Sequence, residues 1–187
     1  MEILRHVIPT RKYKQQAIDY IREFNNYGSR INGVGGLDKY LDAYDTWLIK
    51  LENDSVGFNE RGIPIKTFFL IREEDNRLVG MINIRVSKDI KILKDAGHIG
   101  YSIRPTERSK GYNKVNLYLG LKYLDKHNID VALLSCIDSN LASSKTIESL
   151  GGVLYDEVYK EEYNGVIKKY KIDIKESLEK YKSLYDK

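Results

Sequence analysis

The part of the chain best suited to chemistry is a short basic turn near its middle. Arg108 and Lys110 lie on either side of Ser109, and Gly111 follows immediately before a helical pattern begins. The first turn of a helix has N–H groups without internal partners and the positive end of the helix dipole, so it favours a phosphate. Gly111 lets the backbone approach a ligand without a side chain in the way. These residues predict a pyrophosphate-binding cradle, and the alternative is an ordinary turn with exposed basic side chains.

Two other side chains, His98 and Cys136, could take part in a reaction, but the sequence signal at each is less specific. His98 begins the strand that leads to the turn, and the pKa of histidine suits a general base near neutrality. Its alternative role is to fill space between strands or to bond a backbone carbonyl. Cys136 lies in an apolar run, where a small hydrophobic residue is a better interpretation than a nucleophile.

The composition excludes several classes of site. Cys136 is the one cysteine of the chain, so neither an internal disulfide nor a cysteine-based metal cage is possible. The three histidines lack the close spacing of a zinc site, and we predict no metal. The net charge of +4 is carried by lysines and arginines interleaved with acids, without the patch that a nucleic-acid partner needs.

Length and hydropathy indicate one globular domain. The 187 residues can bury a core but fall short of two typical domains. Charges interrupt the N-terminal stretch where a signal peptide would be apolar, so none is expected. No apolar run approaches the roughly 20 residues that cross a bilayer. The sequence therefore predicts a cytoplasmic protein without a membrane partner.

The first half of the chain predicts two helices before its first hairpin. An opening strand is expected at Ile3–Ile8 and a helix at about Arg11–Asn26, followed by a loop rich in glycine and asparagine that ends at Gly36. The next helix carries an apolar stripe at spacings of three and four, with Trp47 beside it. That stripe consists of Leu37, Tyr40, Leu41, Tyr44, Leu48 and Leu51.

The second half alternates strands and helices around the basic turn. The pattern predicts a mixed α/β (α+β) domain with one central, mostly antiparallel sheet of about seven strands and helices on both faces. Residues 1–174 form this domain, and residues 175–187 form a charged helical tail. The remaining strands are expected at 66–72, 78–86, 98–103, 131–137, 153–159 and 166–174, and the helices at 111–127 and 141–150.

The run from Gly97 to Asn116 resembles the central motif of the GNAT superfamily of acetyltransferases. The family pattern is Arg or Gln, two residues, Gly, one residue, and Gly or Ala, which here corresponds to Arg108, Gly111 and Asn113. The preceding residues 97–105 and the following residues 138–152 match the neighbouring segments of the family. Element order agrees over most of the chain, and the detail is closest to a bacterial subgroup of predicted acetyltransferases.

This resemblance implies a function and a set of binding residues. The chain would transfer the acetyl group of acetyl-CoA, as co-substrate, to a primary amine of a small molecule by direct attack in a ternary complex. Strands 98–103 and 131–137 would splay apart to admit the thioester. Backbone groups of Ile103 and the side chain of Asn140 would contact the pantetheine arm, and the cradle would hold the pyrophosphate. The cradle residues are Arg108, Ser109, Lys110, Gly111, Tyr112, Asn113 and Lys114.

The sequence departs from the family pattern at two positions. Asn113 stands where Gly or Ala is usual. Ile147 stands where many relatives carry a tyrosine that protonates the departing thiolate, so the usual general acid is absent. Tyr101, Tyr155 and Tyr159 are replacement candidates, although a chain with 15 tyrosines makes each nomination weak. Under this resemblance His98 would be the base or part of a water relay.

For the side of the protein that would bind the acceptor, the sequence supports several alternative interpretations. The glycine-rich loop before Leu37 is either an acceptor-side lid or a plain connector. An acidic run beyond it would attract a cationic amine or form a solvated helix face. Other hypotheses are a protein or peptide N-acetyltransferase and a non-catalytic acetyl-CoA-binding module, and the tail is either a surface helix or a homodimer contact. The acidic run consists of Asp38, Asp42, Asp45, Glu52 and Asp54.

Overall fold

The computed structural model describes residues 2–93 and 96–186. Within these residues, seven strands and six helices form one mixed α/β domain. The strands are β1 (Leu4–Val7), β2 (Ile65–Arg72), β3 (Arg77–Arg85), β4 (Ile99–Ile103), β5 (Val131–Ile137), β6 (Val153–Lys160) and β7 (Gly165–Asp173). The helices are α1 (Lys14–Asn26), α2 (Tyr44–Ser55), the short α3 (Ile90–Leu93), α4 (Tyr112–Asp125), α5 (Leu141–Glu148) and α6 (Ile174–Tyr185).

The expected seven strands are divided between two antiparallel sheets. One sheet has the order β1-β2-β3-β4, and the other has the order β5-β7-β6. The two sheets meet where β4 and β5 begin, because the N–H of His98 donates to the carbonyl of Leu133 over 2.7 Å. A side chain at Gly97 would lie only 2.4 Å from that carbonyl oxygen, so glycine permits the close approach. Beyond this junction the strands separate and no ladder joins them.

The helices cover both faces of the first sheet. On one face α1 and α2 bury Tyr20, Phe24 and Trp47 against Phe69 and Met81. The opposite face packs against α4, whose leucines also reach β5 and β7 of the second sheet. This shared core explains why α4 is apolar on most of its surface: it bridges two sheets that have few hydrogen bonds to each other.

The second predicted helix begins later than its apolar stripe indicated. Leu37–Lys39 forms a separate 3₁₀ turn, and α2 starts only at Tyr44. The indole N–H of Trp47 donates to the carbonyl of Gly35 over 3.0 Å, which ties the preceding loop to α2. Trp47, predicted beside the stripe, is fully buried in the core that α1 and α2 form with the first sheet. Periodicity failed here because the turn and the helix face the same core, so apolar spacing continues across the break.

The last helix packs onto the domain. Ile174 and Ser177 on α6 are buried, and Leu178, Tyr181 and Tyr185 pack against the core around α4. The side chain of Asp173 caps the helix by accepting from the N–H of Glu176 over 2.9 Å. Among the described helices, none has the length and apolarity needed to span a membrane.

Candidate functional site

An opening with unpaired strand edges lies between β4 and β5. Arg85 donates its N–H to the carbonyl of His98, and Arg104 donates its N–H to the carbonyl of Val79, so alternate residues from 98 to 104 face β3. The backbone groups of Ile99, Tyr101 and Ile103 therefore point the other way, into the opening. Such an edge can pair with the extended, amide-containing arm of a ligand.

His98 lies at the apex of this opening, and both nitrogens of its ring are engaged. Nδ1 accepts from the N–H of Leu133 over 2.9 Å, and Nε2 donates to the carbonyl of Ser87 over 3.0 Å. Burial is the main reason that the pKa of His98 is below its ordinary value. The ring is therefore neutral and joins three segments of backbone. It has no lone pair directed at the opening.

A cavity of about 640 Å³ extends from the opening. On the strand side it is lined by Gly100, Tyr101, Cys136 and by Asn140 and Ser143 at the start of α5. The other wall is built from distant parts of the chain: the loop after α1, the loop before β2, the end of β3 and the β6–β7 connection. Its residues include Arg30, Ile31, Asn32, Gly33, Arg61, Arg85, Lys160 and Tyr163.

The turn predicted to be a cradle lies at the far end of β4. Ser109 has a φ of 63° and Gly111 a φ of 79°, both in the left-handed region, and α4 begins directly afterwards. The N–H groups of residues 109–113 donate to no acceptor in the described part of the chain. A side chain at Gly111 would meet no atom within 4 Å, so the space beside these N–H groups is open. Five unpaired donors at a helix start suit an anion.

The side chains of the cradle mostly turn away from these donors. The guanidinium of Arg108 donates to the carbonyl of Ile103 and to Oγ of Ser29, and lies over the ring of Phe24. The hydroxyl of Tyr112 bonds Glu2 and accepts from Arg72 over 3.0 Å. These two side chains brace the turn from beneath, and the donors that face the open space are backbone groups.

A buried carboxylate anchors the turn from the other side. Glu107 is 5% exposed and lies within 3.0 Å of Nη1 of Arg72, 2.7 Å of Nε of Arg77 and 2.8 Å of Nζ of Lys110. Burial by itself would raise the pKa of Glu107, but Lys110 and Arg72 hold that pKa below its ordinary value. The cluster ties the β2–β3 hairpin to the cradle. Lys114 has no ionic partner in the region that the structure describes.

The sequence of this chain matches the model of a known protein family. The model of the Acetyltransferase (GNAT) family matches residues 37–151, which is more than half of the chain. This chain belongs to the GNAT acetyltransferase family. It is therefore an acetyltransferase, and acetyl-CoA is its co-substrate. The search of curated proteins returns no match.

Solved structures of other GNAT acetyltransferases share the fold. A ribosomal-protein-S5-alanine acetyltransferase from Vibrio fischeri has a TM-score of 0.67 at 16% identity, over 92% of this chain and 94% of the other. A ribosomal L7/L12 alpha-N-protein acetyltransferase in complex with coenzyme A has a TM-score of 0.66 at 15% identity, over 91% and 95%. A spermidine N-acetyltransferase chimera, from Vibrio cholerae and hSSAT, has 0.65 at 14%, over 94% and 98%.

The described residues of this GNAT domain suit acetyl-CoA. The cradle supplies unpaired N–H groups beside open space, and the edge of β4 supplies unpaired backbone groups along the opening. Asn140 lines the cavity, and its side-chain oxygen accepts from the N–H of Ser143 over 3.2 Å as the cap of α5. Asn113 donates weakly to Oγ1 of Thr146 over 3.5 Å, which joins the starts of α4 and α5.

Ile147, where many relatives have a tyrosine, does not face the cavity. It is 1% exposed and belongs to the core around α4. A side chain on Gly152 would lie 2.4 Å from Cγ2 of Ile147, so the two residues are already in contact. On the cavity wall, the hydroxyls of Tyr101 and Ser143 lie 2.9 Å apart. Sequence comparison missed Ser143, since its proximity to Tyr101 depends on how β4 and α5 are placed.

The glycine-rich loop before Leu37 forms part of the cavity wall. Its backbone packs on β4, since a side chain at Gly33 would come within 2.4 Å of the carbonyl oxygen of Gly100. The hydroxyl of Ser102 donates to the carbonyl of Asn32 over 2.6 Å. In contrast, the acidic run after this loop does not line the cavity. Asp45 pairs with Arg11, and Asp54 is buried beside Lys50.

Across the described residues 2–93 and 96–186, no group of three or more potential ligands could hold a metal ion. Of the other tyrosines nominated as acids, Tyr155 lies under the ammonium of Lys171 and Tyr159 donates to Asn164. Both are on β6, and neither lines the cavity.

Proposed function

We propose that this GNAT enzyme transfers acetyl groups to a primary amine of a small molecule by direct attack in a ternary complex. The observation that carries the proposal is a continuous path in which the unpaired N–H groups of residues 109–113, the free edge of β4 and the cavity follow one another. A thioester supplies an activated acetyl group to this path. The protein's task is then to position an amine against it.

The binding role of each residue follows from its exposed groups. The N–H groups of Ser109 to Asn113 bind the pyrophosphate, and Lys114 adds charge at the same helix start. Ile103 offers its backbone N–H to the pantetheine arm, and Asn140 contacts the same arm from α5. Arg108, Lys110 and Tyr112 act by holding the turn in shape, since their side chains bond to the protein.

The edge of β4 also suits polarisation of a carbonyl oxygen. The N–H of Tyr101 points into the opening and is a candidate for donating to the oxygen on which charge develops. Such a donor is held by the sheet, so it needs no rearrangement during the reaction. The neutral amine then attacks from the cavity side.

A proton must also reach the departing sulfur. We propose that Oγ of Ser143, which lines the cavity and is bonded to the hydroxyl of Tyr101, gives its proton to the sulfur and takes up in exchange the proton that the amine nitrogen loses after its attack. Burial is the main cause that raises the pKa of Tyr101, so this phenol stays protonated and can donate to Ser143. The pair takes over the role that Ile147 cannot fill. His98 is given a structural role, because both of its ring nitrogens are engaged.

Three measurements test the proposed function. Incubation with acetyl-CoA and a panel of small amines should release free thiol, and mass spectrometry should find the acetylated amine. A panel of peptides in the same assay separates a peptide N-acetyltransferase. Calorimetric binding of acetyl-CoA without transfer to any acceptor would instead indicate a non-catalytic binding module.

The cradle is tested by Gly111→Glu. A side chain there faces open space, but its negative charge and the strained φ oppose both the ligand and the turn. We expect the affinity for acetyl-CoA to fall by at least about tenfold. Gly62→Glu is the matched control, because Gly62 also has a positive φ of 64° and open space but lies away from the cradle. Unchanged affinity in Gly111→Glu would refute the cradle.

A further inference from the structure

The arginines of this protein fall into two groups. Arg5, Arg11, Arg22, Arg72, Arg77 and Arg104 each have a carboxylate oxygen within 3.7 Å. Arg30, Arg61, Arg85 and Arg108 have no carboxylate partner in the described part of the chain. Arg108 braces the cradle, and the other three line the cavity. No aspartate or glutamate is among the described residues of that lining.

Three separate segments bring these arginines together. Arg30 is on the loop after α1, Arg61 is on the loop before β2, and Arg85 is the last residue of β3. The guanidinium of Arg61 donates to the carbonyl of Ile92 over 2.9 Å, and that of Arg85 donates to the carbonyl of Gly97 over 3.2 Å. Carbonyls orient both groups but bring no formal negative charge, and no carboxylate within residues 2–93 and 96–186 pairs with either guanidinium.

The charges of the cluster repel each other. Burial, followed by the nearby charge of Arg61, lowers the pKa of Arg85 to about 10. Arg85 is therefore still charged at neutral pH, and a bound anion would relieve the repulsion. Positive groups gathered around a cavity whose described lining contains no acid favour an anionic ligand.

This cluster is distinct from the cradle. Arg85 lies beside His98, at the start of β4, whereas the cradle follows Ile103 at the end of the strand. The five residues of β4 separate the two ends by roughly 15 Å, at about 3.3 Å per residue. The diphosphate at the cradle cannot also neutralise the arginines beside the apex. The cluster lines the same cavity from which, under the proposed function, the amine attacks.

We infer that the acceptor is an amine that also carries an oxyanion, a carboxylate or a phosphate, which binds Arg30, Arg61 and Arg85. Guanidinium groups bind both oxyanions through paired hydrogen bonds. The anion would rest on the cluster while the amine reaches the opening between β4 and β5. This inference rests on the proposed function, and it excludes polyamines as preferred acceptors because the same charges repel them.

Binding measurements on matched ligands test the inference without turnover. The protein saturated with coenzyme A is titrated by calorimetry with β-alanine and its amide, with phosphoethanolamine and ethanolamine, and with spermidine. We expect the acidic member of at least one pair to bind at least about tenfold more tightly than its neutral partner. The two pairs show whether carboxylate or phosphate is preferred.

Variants then connect the preference to the cluster. Arg30→Gln and Arg61→Gln change exposed side chains, so the fold should survive both. Together they should reduce the preference for the acid to about twofold or less. Arg22→Gln is the control, because Arg22 is an exposed arginine on α1 that pairs with Asp19. It should keep the full preference.

The outcomes separate the inference from the proposed function. Equal binding of acidic and neutral partners by the unmodified protein, or tighter binding of spermidine, overturns the inference. An acid preference that survives in the double variant also overturns it. Acetyl transfer to amines without any acid preference leaves the proposed function standing alone. Acid-selective binding without acetyl transfer to any amine keeps the anion-binding role of the three arginines but overturns the proposed function, and with it the assignment of the bound molecule as the acceptor.

Discussion

At the scale of single residues, chemistry depends on which hydrogen-bonding capacity is left unused. Ser143 and His98 both lie near the opening between β4 and β5, but they differ in this respect. The hydroxyl of Ser143 faces the cavity beside Tyr101, whereas both ring nitrogens of His98 are bonded to backbone groups. A proton can therefore be exchanged at Ser143 and not at His98 without breaking a structural contact.

Ser143→Ala removes the proposed proton donor. We expect kcat to fall by roughly 10- to 100-fold, while the KM for acetyl-CoA changes little. Ser149→Ala is a matched control at the end of the same helix, where the hydroxyl bonds the carbonyl of Thr146. Steady-state kinetics with the preferred amine measure both variants. Wild-type kcat in Ser143→Ala would remove Ser143 from the mechanism.

His98→Gln tests the structural role of the histidine. It should lower the free energy of unfolding by about 1–3 kcal/mol, because buried backbone groups lose their partners. The pH profile of kcat/KM should keep its shape, since no proton is transferred at the ring. Denaturant unfolding and a pH series of initial rates give the two readouts. Loss of an inflection near neutrality would assign a catalytic proton to His98 after all.

At the scale of elements, the cradle depends on contacts made beneath it. Glu107 joins Arg72 at the end of β2, Arg77 at the start of β3 and Lys110 in the turn. The free N–H groups above it keep their arrangement only while the turn is held against the hairpin. This cluster is a structural support for the site.

Glu107→Gln leaves three cations without their shared carboxylate. The free energy of unfolding should fall by on the order of 3 kcal/mol, because one partner of a buried ionic cluster is removed. Glu73→Gln should cost less than about 1 kcal/mol, since the pair of Glu73 with Arg5 is exposed. Denaturant unfolding compares the two variants, and equal losses would contradict a special role for Glu107.

The carboxylate of Glu107 also makes the free energy of unfolding depend on pH. The pKa of Glu107 in the folded protein is below its ordinary value of 4.5, so its stabilisation is complete above that pH and is lost as the pH falls further. In Glu107→Gln, the part of the free energy of unfolding that is lost below pH 4.5 should be absent at every pH. A difference between the two proteins that persists unchanged below pH 4.5 would contradict the assignment.

At the scale of the whole molecule, the titration of His6 makes the free energy of unfolding depend on pH, in a range above the one in which Glu107 titrates. Its Nε2 donates to Oδ1 of Asn116 on α4 over 2.8 Å, and its ring stacks on Phe68. Burial is the main cause that lowers the pKa of His6 from 6.5 to about 4. The neutral ring is therefore favoured in the folded state, and its contribution is present above pH 6.5 and is lost as the pH falls towards 4.

The consequence is a measurable slope in global stability. Between pH 6.5 and 4 the free energy of unfolding should fall by up to about 3 kcal/mol more in the wild type than in His6→Gln. Glutamine can still donate to Asn116 but does not titrate. Denaturant unfolding across this range measures the slope. Parallel curves for the two proteins would show that His6 is not its source.

The sequence alone determined the features that local backbone geometry controls. The basic turn and the start of α4 depend on residues that are neighbours in the chain, so their spacing was sufficient. The order of strands and helices was predictable for the same reason. The start of α2 was not, because Leu37 and Tyr44 face one core across a break in the backbone.

Tertiary structure alone decided what surrounds the opening. Arg30, Arg61 and Arg85 are far apart in the chain, and only the packing of three loops and strands places them in one cavity. The hydrogen bonds of His98 likewise depend on the register at which Leu133 and Ser87 meet it. Composition shows that a charge or an imidazole is present. Long-range packing decides whether that group has a partner, and this decides what chemistry remains available.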